Sequence, residues 1–106
     1  MAVAITVLYL NVEDARFDLD YYLSKHMPLV AERFAPHSLK GWRVARLTAP
    51  PQGGKPPFSI IATLEFDNAG QFGAAIAAEG ATVLGDVPNF SNKEPVIMIG
   101  EVVGKG

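Results

Sequence analysis

Apolar positions recur along this chain with two alternating periods, and the places where the period switches mark out its elements. Residues 3–10 are rich in Val, Ile, Leu, Thr and Tyr, the residue types that favour strands. Both alternating sets, Val3/Ile5/Val7/Tyr9 and Ala4/Thr6/Leu8/Leu10, are largely apolar, which predicts a strand covered on both faces. The polar residues from Asn11 to Arg16 form a turn. From Asp18 the spacing lengthens: Leu19, Leu23, Val30 and Phe34 recur at helical intervals. This predicts a helix over 18–35, with Asp18 as its N-cap and Pro36 as its stop. A second strand is expected over 38–48, where Trp42 and Val44 share a face with Lys40 and Arg46. The Pro- and Gly-rich run from Ala49 to Pro57 reads as a surface hairpin connection. Phe58, Ile60, Ala62, Leu64 and Phe66 then give one very apolar face to a third strand over 58–66.

Asn68, with Gln71 three residues later, has the form of a capping box and opens a helix over 68–84. Phe72, Ile76 and Val83 mark its buried stripe. The rest is mostly Ala and Gly, which lets a helix lie close on a sheet. Asp86 to Phe90 is irregular, and a last strand is expected over 95–103. The order β-α-β-β-α-β is the ferredoxin-like α+β plan, a four-stranded antiparallel sheet with both helices on one face. The second sheet face would carry Leu8, Leu10, Ile61 and Thr63, too apolar to leave to water. A second copy stacked sheet to sheet is the economical cover, so a homodimer is expected.

Composition narrows the classes. The 106 residues suit one domain spanning 1–106 with a modest core. A formal net charge of −2 gives no basic footprint for nucleic acid or an anionic membrane. Absence of cysteine removes disulfides, thiolate nucleophiles and cysteine metal sites, and a cytoplasmic location is the simplest expectation. The N-terminal apolar run is too short for a transmembrane helix and lacks a basic leader region.

Candidate chemistry centres on His26. It falls on or beside the apolar stripe of the first helix, and Pro28 lies two residues on, where it removes a backbone hydrogen bond. An imidazole there is either a satisfied core residue or an acid–base group, since its free pKa lies near working pH. Tyr22, one turn earlier, is a candidate orienting group. Asp86, Asn89 and Phe90 sit in a proline-held segment of the kind that often meets ligands, although Asp86 and Asn89 also suit turn capping. Trp42, the single tryptophan, is either pocket wall or core. No phosphate-binding glycine loop is legible, because Gly53 and Gly54 lie between prolines. Two distant histidines without carboxylates at ligand spacing argue against a zinc site.

The run from Arg16 to Val30, together with Gly85-Asp-Val-Pro-Asn-Phe90 and Glu94-Pro-Val96, resembles the EthD family, named from a gene cluster for ethyl tert-butyl ether degradation. The likeness covers essentially the whole chain. It implies a dimeric α+β barrel, similar in architecture to cofactor-free monooxygenases, muconolactone-type isomerases and haem-degrading enzymes. By position, His26 and Pro28 match its helix motif and Asp86, Pro88 and Asn89 its second motif. Two functions follow as expectations. One is a cofactor-independent, metal-free enzyme acting on a small hydrophobic oxygenated metabolite, with His26 as acid–base, Tyr22 or Asn89 orienting, and Trp42 or Phe90 as wall. The other is a binding protein that holds such a compound for a partner oxygenase. A second polar group near His26 would favour the enzyme.

Overall fold

A computed structural model describes residues 1–106. Strand β1 (Val3–Leu10) leads into a helical rod built from α1 (Leu19–Tyr21), a π-helical turn (Tyr22–His26) and α2 (Met27–Phe34). Strands β2 (Leu39–Arg46) and β3 (Phe58–Phe66) form a hairpin, then follow α3 (Ala69–Gly85), a 3-10 turn (Val87–Asn89) and β4 (Val96–Glu101). The sheet order is β2-β3-β1-β4 and every pairing is antiparallel, so the βαββαβ ferredoxin-like plan holds.

Period-two alternation sets the core. Ile60, Ala62, Leu64 and Phe66 of β3 are buried beside Val3, Ile5 and Tyr9 of β1, and Val30, Phe34, Phe72 and Val83 close over them from the helices. Full burial of side chains such as Ile5 and Phe66 contributes about 1.5–3 kcal/mol each. Asn68 caps α3 as expected, its Oδ1 accepting the Gln71 N–H at 2.8 Å. Asp18 caps α1 in the same way through Tyr21 at 3.0 Å. Strand β2 is shorter than 38–48: Ser38 takes a left-handed φ of 67° that ends the preceding turn, and pairing with β3 stops at Arg46.

The first helix departs from a plain α-helix. Proline at position 28 lacks an N–H and its ring crowds the carbonyl four residues back. The chain answers by widening the turn just before it, so the Met27 N–H reaches back to the Tyr22 carbonyl. The wider turn changes the register of the inward face. Tyr22 and His26 both join Met27, Val30 and Phe34 in the interior, while Leu23 is 44% exposed. Assigning Leu23 to the apolar stripe is therefore wrong, because uniform α-periodicity does not run through residues 22–26.

Strand β1 buries Val3, Ile5 and Tyr9 on the helix side with Val7 half-buried, and its other face carries half-buried Thr6 and Leu8, with Leu10 exposed. Edge strand β4 is exposed throughout, and its Val96, Ile97, Met98 and Ile99 are all apolar. No helix is long and apolar enough to cross a membrane.

Candidate functional site

The site forms where the widened helical turn meets the segment after α3. Three side chains converge on one carboxylate. Asp86 Oδ2 accepts from His26 Nδ1 at 3.0 Å, and Asp86 Oδ1 accepts from the Tyr21 hydroxyl at 2.7 Å and from Asn89 Nδ2 at 2.9 Å. A carboxylate only accepts, so the imidazole carries its proton on Nδ1. The other ring nitrogen is then a free lone pair, and the ring lines an interior cavity.

The backbone explains this convergence. The 3-10 turn is set by Pro88, whose fixed φ suits it, and it returns the Asn89 amide to the Asp86 carbonyl at 3.0 Å. The Asp18 N–H then bonds the Phe90 carbonyl at 2.8 Å, and Phe17 bridges to Ser91. Arg16 N–H donates to Asn92 Oδ1 at 2.7 Å, fixing the same junction from outside. Between these ties Phe90 is buried edge-on to Tyr22 at 4.9 Å and tilted over His26 at 4.5 Å. Tyr22 lies almost parallel to His26, 5.2 Å away with 17° between the rings.

Burial holds the His26 imidazolium below its ordinary pKa, and the hydrogen bond and charge of Asp86 oppose that only in part. The ring is therefore neutral near pH 7. For Asp86 burial acts upward, but the bonds from Tyr21, Asn89 and His26 outweigh it and lower the pKa, so the carboxylate is ionised. Tyr21 is raised, first by donating to Asp86. Burial pushes Tyr22 up to about 12 and Tyr9 higher still.

The cavity lies between α2, α3 and the β1/β4 side of the sheet. Its void is about 50 Å³, and fourteen of its sixteen lining residues are hydrophobic. The hydrogen-bonding side chains on its wall are His26, Tyr9 and Tyr22. It shares Leu84, Val87, Pro95 and Ile97 with an outer recess of about 320 Å³. No three metal-ligating side chains converge anywhere in the chain.

Of the residues singled out from sequence, His26, Tyr22, Asp86, Asn89 and Phe90 come together here. Trp42 does not: it lies on edge strand β2, 40% exposed, outside the cavity wall. Its pairing partner Leu64 is on the cavity wall, but Trp42 itself borders a separate recess with Gly41 and Arg43. Sequence reasoning missed Tyr21 and Tyr9. The Tyr21-Tyr22 pair was the available signal, since neighbours on a helix diverge and only Tyr22 falls toward the core. Tyr21 finds a second use because the Asp86 segment wraps around the outside of the same turn.

No protein-family model matches the chain, and no curated protein matches it either. Solved structures do. An EthD-like protein from Ralstonia eutropha JMP134 is 35% identical with a TM-score of 0.90, covering 99% of this chain and 95% of that one. An EthD family protein from Bacillus halodurans C-125 is 26% identical with a TM-score of 0.75, covering 95% and 98% respectively. SnoaB, a cofactor-independent oxygenase from Streptomyces nogalater, shares the fold at 11% identity and a TM-score of 0.67, over 98% of this chain and 94% of its own. With more than a third of its residues shared over nearly its whole length with an EthD-like protein, the chain belongs to the EthD family.

Proposed function

We propose that this protein converts a small hydrophobic oxygenated metabolite without a cofactor, in an oxygenase- or isomerase-like reaction in which His26 moves the proton. One arrangement carries the reading: a neutral imidazole, tied to an ionised carboxylate through Nδ1, lies on the wall of a largely apolar cavity with its other nitrogen unbonded to the protein. An imidazole held this way takes a proton at the free nitrogen, while Asp86 fixes its tautomer and stabilises the cation that forms. The apolar wall excludes water from the proton being moved. Asp86, Tyr21 and Asn89 position the ring, and Phe90 and Tyr22 hold it flat against the wall. The inner void is small beside the roughly 300–1,000 Å³ of ordinary ligand sites, so the ligand would extend into the outer recess past Leu84 and Ile97. SnoaB shows that this fold can house a cofactor-independent oxygenase.

The proposal includes a cytoplasmic homodimer. It is supported by the wholly exposed apolar strand β4 and the half-covered second face of β1. Sedimentation at micromolar concentration should give twice the chain mass; a monomer would refute the dimer and leave the site reading untouched.

The test of function screens apolar oxygenated compounds by thermal shift, then follows each binder by mass spectrometry with the parent protein and with His26→Gln. Conversion by the parent that drops at least a hundredfold in the variant is expected, in line with general acid–base catalysis. Tight binding with no conversion by the parent would instead make it a holding protein for a partner oxygenase.

A further inference from the structure

Tyr9 and Tyr22 are 2% and 1% exposed, and both line the cavity beside His26. Their rings meet edge-on at 5.7 Å, and each hydroxyl has the other as its polar neighbour. Neither hydroxyl donates a hydrogen bond to a protein acceptor. A hydroxyl has one proton to give and two lone pairs. A buried hydroxyl with no protein acceptor therefore keeps its donor proton unspent, and leaving it unpaired is costly. In a wall with no other neutral donor, an oxygen on the cavity's occupant is the acceptor such a proton lacks.

We propose that the Tyr9–Tyr22 pair anchors a ligand oxygen, and that the ligand is an apolar ketone with an acidic C–H beside its carbonyl. This rests on the reading of His26 as the base. Tyr22, stacked on the imidazole, is the direct donor to the carbonyl, and Tyr9, edge-on to Tyr22, is a positioning residue whose hydroxyl orients that of Tyr22. In the step the two groups make possible, the free nitrogen of His26 takes the proton from the carbon next to the carbonyl. The C–H electron pair moves into the carbonyl group and becomes the enolate, with its charge on the oxygen held by the Tyr22 hydroxyl. Return of the proton from the imidazolium, to the same carbon or to a conjugated one, regenerates the base and gives exchange or isomerisation. No oxidant is consumed. The apolar wall selects for an uncharged carbon skeleton, because a carboxylate would enter a site with no fixed cation.

The test uses cyclohexanone as probe and methylenecyclohexane, which has the same skeleton without the oxygen, as control. Binding is read by NMR titration, and base action by incorporation of deuterium at the ketone's α-carbon in D₂O. The parent should prefer the ketone. Tyr22→Phe should weaken ketone binding about tenfold, the value of one hydrogen bond, and leave the hydrocarbon unchanged. Tyr9→Phe should have the same selectivity with a smaller loss, about threefold. Equal affinity of the parent for both probes, or full ketone affinity in Tyr22→Phe, overturns the anchor. If the tyrosine variants lose ketone preference but the parent exchanges no deuterium, the anchor stands as a binding device and the base role of His26 fails.

Discussion

Asp86→Asn is nearly isosteric and removes only the charge and half the accepting capacity, so it isolates what the carboxylate does. In the parent, that carboxylate accepts three hydrogen bonds, from His26, Tyr21 and Asn89. A carboxamide has one accepting oxygen and one donating nitrogen. If the oxygen keeps Tyr21 and Asn89, the –NH₂ group faces the Nδ1 proton of His26. The ring must then move its proton to the other nitrogen, which puts a donor where the free lone pair had been. If the amide turns over instead, it keeps His26 and opposes Tyr21 and Asn89. Either way at least one bond to a charged group is lost and the others weaken, a cost of about 2 kcal/mol with the His26 and Asp86 side chains only 5% and 12% exposed. For a chain of this size that lowers Tm by roughly 8–16 °C. The imidazole should also titrate lower than in the parent, because the hydrogen bond and charge that raise it are gone while burial remains. The assay is a long-range ¹H–¹⁵N correlation of the imidazole nitrogens across a pH series. There are two histidines, so His37 serves as the internal reference. An unchanged His26 tautomer, an unchanged titration and a Tm within a degree of the parent would show that Asp86 does not govern the ring.

Stability should fall in two windows as pH drops. An unfolded imidazole protonates near 6.5, while the folded one resists, so the unfolded chain binds more protons below that pH and stability is lost as the pH falls through the folded value. Asp86, also depressed, adds a second loss beginning near its unfolded value of about 4. His26→Gln should abolish the upper window only, read by denaturant titrations from pH 7.5 to 3.5. Leu23→Ala should cost less than about 0.5 kcal/mol, and Tyr22→Ala about 3–5 kcal/mol, reversing the order that uniform helical spacing implies. Asn68→Ala should cost about 1 kcal/mol by chemical denaturation, because the Gln71 N–H then loses its cap.

The fold was legible because its signals are local and agree with one another. Strand β3 alternates cleanly, Asn68 and Gln71 mark the start of α3, and the Pro/Gly run can only connect strands. The site was half legible. His26 stands out by its proline neighbour, and Asp86, Asn89 and Phe90 by theirs, but nothing in the order of residues says that Asp86 reaches His26. That contact depends on the wider turn at 22–26, which follows from a steric conflict at Pro28 and shifts which residues face inward. The same turn defeated the assignment of Leu23 and hid Tyr21. Trp42 lies one strand beyond cavity-lining Leu64 and borders a different recess, a matter of strand order that no local pattern reports.

The span of chain between the halves of the site has a consequence during synthesis. His26 and Asp86 are 60 positions apart, and Tyr21 and Asn89 are 68 apart. At roughly 5–20 residues per second, a ribosome that has placed His26 needs about 3–12 s to add Asp86. Throughout that time the imidazole lacks its Asp86 partner and the first helix has no segment to close its outer side. A nascent or truncated chain ending anywhere before residue 86 can hold β1, the helical rod and the β2–β3 hairpin, yet its His26 ring lacks the carboxylate that orients it. If His26 is the base proposed above, its proton transfer waits until the last fifth of the polypeptide has emerged and docked.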